Sequence, residues 1–202
     1  MRVRAWTDVA VRWCLPGLLV CSPAWSQTAA PPRAAVPFDA VVRSEHRYAL
    51  PALRLQRADG RRLTLTEALA DGRPVVMIFL YGSCATVCPI TNQTLVAFEQ
   101  ALGPDLARVN VVSLSIDPDH DSVRRLAEHA ARTGARGSFF TGDPASSEAV
   151  QRAFDAWRGD KANHQPVFLL SADPLRQWVR LDGLVLPDRL MAEFSRLRRT
   201  GT

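Results

Sequence analysis

Cysteine is scarce in this chain, with four in 202 residues, and no apolar run is long enough to cross a bilayer. The longest mostly apolar stretch, Trp13 to Trp25, falls short of the roughly 20 residues a spanning helix needs, and Pro16, Gly17 and Pro23 interrupt it. It is a poor membrane span. The arginine pairs Arg61-Arg62, Arg124-Arg125 and Arg198-Arg199 are scattered and have no aromatic-rich basic motif beside them, so nucleic-acid binding is not expected. There is no internal repeat, which argues against a solenoid. What is present, 47% hydrophobic and 22% charged residues, suits one soluble globular domain with a tail.

The first residues have the layout of a secretory signal. Arg2, Arg4 and Arg12 precede the short apolar stretch, and the small residues Ala24 and Ser26 lie two apart at its end. Cleavage after Ser26 is expected, giving an extracytoplasmic, for instance periplasmic, protein. A lipid on Cys21, after Leu18-Leu19-Val20, or an uncleaved anchor would be the alternative routes to membrane association. Removing residues 1–26 takes away three arginines and Asp8, which lowers the formal charge from +5 to +3. It also removes Cys14 and Cys21. Only Cys84 and Cys88 would stay, and in an oxidising compartment such a pair can form a disulfide, bind metal, or alternate between the two.

Residues 27–44 begin with a Pro/Ala-rich segment expected to act as a linker, and the folded domain is assigned to 45–202. There, strand-like and helix-like patterns alternate. An opening hairpin is expected around Asp59-Gly60, and buried strands over Val75 to Tyr81 and Val109 to Ile116. Helices are expected over Pro89 to Leu102, Ser122 to Thr133, Ala145 to Trp157 and Pro187 to Arg198. Val167 to Leu170 and Trp178 to Leu181 should pair across the Asp173-Pro174 turn. This order predicts an α/β fold with a mixed central sheet flanked by helices.

In such sheets, functional residues gather beyond the carboxyl ends of the central strands. Cys84-Ala-Thr-Val-Cys88-Pro89 follows the first buried strand and opens a helix. Proline suits the first helical position, which makes Cys88 the expected N-cap, with its thiolate favoured by the positive helix end. A thiolate is both the nucleophile of disulfide exchange and a soft Cu(I) ligand, so either chemistry is open. A structural disulfide bracing the loop is the third option. Pro118 should stop the second strand and Asp121 cap the next helix. Asp117 could also orient a ligand. Among the histidines, His164 precedes a late strand and His120 leaves the neighbouring strand end, whereas His46 and His129 look like linker and helix-surface residues.

Cys84-x-x-x-Cys88-Pro89 after one strand, Ser115-Ile-Asp-Pro-Asp-His-Asp121 after the next, and His164 before a late strand together resemble the Sco/SenC copper chaperones, over about residues 45–200. The resemblance implies a thioredoxin-like fold, export, and a copper ion held by Cys84, Cys88 and His164. It further implies a role in assembling the copper centre of cytochrome oxidase, with a membrane oxidase subunit receiving the metal. Asn163 and Pro166 beside the histidine mark a divergent subgroup. The alternative is a thiol-disulfide oxidoreductase in which Cys84 and Cys88 are the redox-active pair and the partner is a client thiol protein. Exchange needs only the thiols, while ligation needs the imidazole as well. No peroxidase motif accompanies the pair, and its spacing is one residue longer than that of Cys-x-x-Cys enzymes.

Overall fold

The run Val75–Leu80 has no polar residue, and it forms the central strand of the molecule, buried at every position. In a strand, neighbouring side chains point to opposite faces. Val75, Met77 and Phe79 therefore enter one core, and Val76, Ile78 and Leu80 enter the other. A strand between two apolar layers cannot alternate with polar residues, which is why the run is continuous. The structure, a computed structural model, describes residues 41–84 and 87–200. The expected signal and most of the expected linker lie outside the described residues.

Among the described residues, eight strands form one sheet in the order β1-β8-β7-β4-β5-β6-β2-β3. They are β1 (Val42–His46), β2 (Arg54–Arg57), β3 (Arg62–Thr64), β4 (Val75–Leu80), β5 (Asn110–Ser115), β6 (Ser138–Thr141), β7 (Val167–Asp173) and β8 (Gln177–Asp182). β4, β5 and β6 are parallel, joined by helical crossovers, while β7 returns antiparallel to β4. The sheet is mixed, as the alternating pattern predicts, and the fold is thioredoxin-like. β1 pairs antiparallel with β8, so the sheet begins at Val42, within the stretch assigned to the linker, and His46 is a strand residue stacked on Tyr48. Nothing in its short, polar sequence distinguishes β1 from linker, because an edge strand is recruited by its partner.

Among the described residues the α-helices are α1 (Leu65–Leu69), α2 (Val87–Leu102), α3 (Val123–Thr133), α4 (Pro144–Ala153) and α5 (Pro187–Thr200). Leu95 and Phe98 of α2, Leu126 of α3, and Leu190, Phe194 and Leu197 of α5 share one core. Leu65 and Leu69 of α1 and Val150 of α4 join Phe154 and Trp178 in the other. Local chemistry sets several helix ends. Thr64 and Glu67 make a capping box, Asp143 precedes Pro144, and α3 runs from the Ser122 cap to a left-handed Gly134. Ser122 thus takes the capping role expected of Asp121, which is drawn into another network.

Candidate metal and redox site

The loop leaving β4 turns at once, with the Cys84 N–H donating to the Tyr81 carbonyl at 3.1 Å. α2 then starts at Val87, so Cys88 lies inside its first turn rather than at the N-cap. The difference directs the free helix amide to the Cys84 sulfur. First-turn N–H groups have no partner within the helix, and the Cys88 N–H donates at 3.3 Å to the Cys84 Sγ. The Cys88 thiol and the Tyr81 hydroxyl are also hydrogen-bonded to Cys84. Cys84 Sγ therefore faces the open first turn of α2. Cys88 itself is 7% exposed. Burial, followed by the Cys84 contact, pushes its thiol up to about 12, against a smaller opposing hydrogen bond to the Tyr81 backbone. Burial and the hydrogen bond to Cys84 likewise push Tyr81 up to about 12. Cys84, on the partly exposed loop, is the accessible sulfur, and Cys88 is the protected one.

Asp121 holds this loop in place. Its carboxylate is 1% exposed and accepts the Gly82 N–H on both oxygens, the Ser115 hydroxyl at 2.7 Å, and a contact from His120 Nδ1 at 3.0 Å. A Cβ on Gly82 would lie 2.6 Å from Asp121 Oδ1, so only glycine allows this approach. Sequence reasoning missed the role because a buried aspartate one residue before a cap looks like the cap itself. The rival histidine, His120, is tied to this carboxylate.

His164 follows a short 3-10 turn, Lys161–Asn163, capped by Asp160. Because β7 runs antiparallel to β4 with Phe168 opposite Ile78, the segment before β7 comes to the carboxyl end of β4. The His164 ring sits edge-on to Tyr81, with centroids 6.4 Å apart. Burial lowers its pKa to about 4, opposed by a hydrogen bond to the Phe79 backbone, so the imidazole is neutral at pH 7. That bond occupies one ring nitrogen.

Tyr81 therefore lies between the thiols and the imidazole, contacting both. His164 lines a small cavity with Trp157, Arg158 and Lys161, whereas Cys84 and Cys88 line a separate one toward α2 and α3. Among the described residues, no three His, Cys, Asp or Glu side chains are close enough together to hold a metal ion. The preformed part of the site is the pair of sulfurs. Asp117, 7% exposed, is paired with Lys161, which also lies over the Tyr81 ring at 5.9 Å. Its carboxylate thus acts on the turn before His164.

Comparison with known proteins gives the same family on independent grounds. The family model described as SCO1/SenC matches residues 50–172. A SCO1 protein homolog of Bacillus subtilis (strain 168) is 26% identical over 152 residues, covering 70% of this chain and 73% of that protein. Arabidopsis thaliana ScoI, solved with copper bound, superposes with a TM-score of 0.63 at 23% identity, covering 75% of this chain and 99% of that one. BsSco, described as a member of the Sco family of cytochrome c oxidase assembly proteins with a disulfide switch, gives 0.63 at 21% identity, over 77% and 96% of the two chains. With the family model spanning more than half of its residues, this chain belongs to the SCO1/SenC family.

Proposed function

We propose that this chain is an exported copper-binding protein that carries the metal to a respiratory oxidase subunit, with Cys84 and Cys88 as thiolate ligands and His164 as the third donor. The observation that carries the proposal is the convergence of the two sulfurs at the start of α2, with the Cys88 N–H on Cys84 Sγ. Two soft sulfurs and a neutral imidazole are a donor set that suits Cu(I), and the nitrogen extends it toward Cu(II). The fit lies in donor chemistry, since the thiols are adjacent and His164 is unprotonated with one nitrogen uncommitted to Phe79. Arabidopsis ScoI, a structural neighbour, has copper bound, which supports copper as the metal. Export follows from residues 1–26 read as a cleaved signal, with a Pro/Ala-rich linker after it. Anaerobic Cu(I) titration of the reduced chain, with and without prior thiol blocking, tests the proposal. One equivalent bound before blocking and none after is the expected result.

The asymmetry of the pair favours a second reading, a thiol-disulfide oxidoreductase acting on client cysteines. An accessible Cys84 that attacks and a buried Cys88 that resolves are the arrangement exchange requires. Loss of copper binding with retained reduction of a client disulfide would select this reading.

A further inference from the structure

His164 and Cys84 are anchored through different parts of the chain, and one side chain separates them. The His164 ring is hydrogen-bonded to the Phe79 backbone, and the turn before it is tied down by the Asp160 cap and by the ion pair of Lys161 with Asp117. Cys84 is anchored as well. Its N–H is on the Tyr81 carbonyl, and Gly82 is held by Asp121. Phe79 and Tyr81, two residues apart, pack toward the same core. The bond that anchors His164 therefore brings its ring to the Tyr81 ring, edge-on with centroids 6.4 Å apart. The Tyr81 hydroxyl is hydrogen-bonded to Cys84. One tyrosine thus spans the gap, and the sulfurs and the imidazole line different cavities.

Bringing an imidazole nitrogen to the sulfurs requires one of three parts to move. Shifting the turn that carries His164 would break the Phe79 bond and leave the Asp117 carboxylate, 7% exposed, without its ion-pair partner. Shifting the Cys84 loop would take the Gly82 N–H off the buried Asp121 carboxylate. The Tyr81 side chain is partly exposed, and a single hydrogen bond to sulfur, a weak acceptor, holds its hydroxyl. Changing its rotamer disturbs no backbone hydrogen bond. It is the least costly of the three to displace.

We propose that Tyr81 is the positioning residue of the site: its side chain keeps Cys84 and His164 apart in the metal-free chain and swings off Cys84 when the two share a metal, while His164 stays on Phe79. The proposal rests on the copper assignment above, and it makes Tyr81, rather than the turn carrying His164, the moving part.

The test uses the full chain with meta-fluorotyrosine in place of tyrosine. Tyr48 and Tyr81 are its two tyrosines, so there are two fluorine signals, and Tyr81→Phe identifies that of Tyr81. In the reduced, metal-free chain, Cys84→Ala should shift the Tyr81 signal and leave that of Tyr48 in place. One equivalent of Cu(I), added anaerobically to the parent, should shift the same signal, while the His164 ring N–H bonded to Phe79 persists in NMR of isotope-labelled histidine. Thiolate-to-Cu(II) absorption should develop about tenfold faster in Tyr81→Phe, the factor expected for removing one hydrogen bond that opposes the swing. A hydroxyl with a merely structural role would leave that rate unchanged. A Tyr81 signal unmoved by bound Cu(I), or loss of the Phe79-bonded N–H on loading, would overturn the proposal. Cu(I) binding to no form of the chain would instead overturn the copper assignment, whereas the Cys84→Ala comparison needs no metal and judges the hold of Cys84 on Tyr81 by itself.

Discussion

The Gly82 N–H donates to both carboxylate oxygens of Asp121, at 3.0 Å each, across 39 residues of chain. This contact joins the loop after β4 to the loop after β5, and so positions Cys84 relative to the segment from Ser115 to Asp121.

Gly82→Ala would place a Cβ 2.6 Å from Asp121 Oδ1, and it is expected to cost roughly 1–3 kcal/mol through forced displacement of the loop. Asp121→Ala strands the Gly82 N–H and the Ser115 hydroxyl, and should cost about 3 kcal/mol. The two changes attack one network, so the double variant should lose less than the sum. Guanidinium denaturation of the three variants measures all three values. Additive losses would show that the contact does not couple the loops.

Cys84 should alkylate before Cys88. The first is partly exposed on a loop, and the second is buried with its thiol pushed up to about 12. Iodoacetamide at pH 8, followed by peptide mass mapping, should give a rate ratio of about ten or more in the native reduced chain, because the thiolate is the reacting form. In denaturant the ratio should fall toward one. Equal native rates would contradict the assignment of Cys84 as the accessible sulfur.

Acid should weaken the metal-free fold through His164. Its folded pKa of about 4 lies below its unfolded value of 6.5. The unfolded state therefore binds the proton first, and the stability this group contributes is complete above pH 6.5 and is lost as pH falls toward about 4. The upper limit is about 3 kcal/mol. Denaturation midpoints measured from pH 8 to 4 should decline more steeply in the parent chain than in His164→Asn. Parallel curves would refute burial of a neutral imidazole.

The copper assignment separates by residue. Cys84→Ser or Cys88→Ser should abolish Cu(I) and Cu(II) binding. His164→Ala should weaken Cu(I) by about tenfold or less, since two thiolates can hold it, but should remove most of the thiolate-to-Cu(II) absorption, because Cu(II) requires nitrogen or oxygen donors. His120→Ala should change neither, as that ring is engaged by Asp121. An unchanged Cu(II) spectrum in His164→Ala would shift the balance toward dithiol exchange.

By itself the sequence determined the architecture and the family. An unbroken apolar run such as Val75–Leu80 can be satisfied only between two layers, and caps such as Ser122 and Asp143 act within one helical turn, so both are legible from neighbours in the chain. The spacing of Cys84, Cys88 and His164 likewise carried the resemblance that the family match bears out. Which sulfur receives the helix amide depended on where α2 begins, and that start shifted Cys88 into the first turn and made Cys84 the acceptor. The burial of Asp121, the placement of Tyr81 between thiols and imidazole, and the pairing of Asp117 with Lys161 join residues 39 to 83 positions apart. Only tertiary structure could decide these, because a charged or polar side chain carries no local mark of the partner that will desolvate it. The edge strand β1 has the same origin, since its pairing is supplied by β8, which lies more than 130 residues further along the chain.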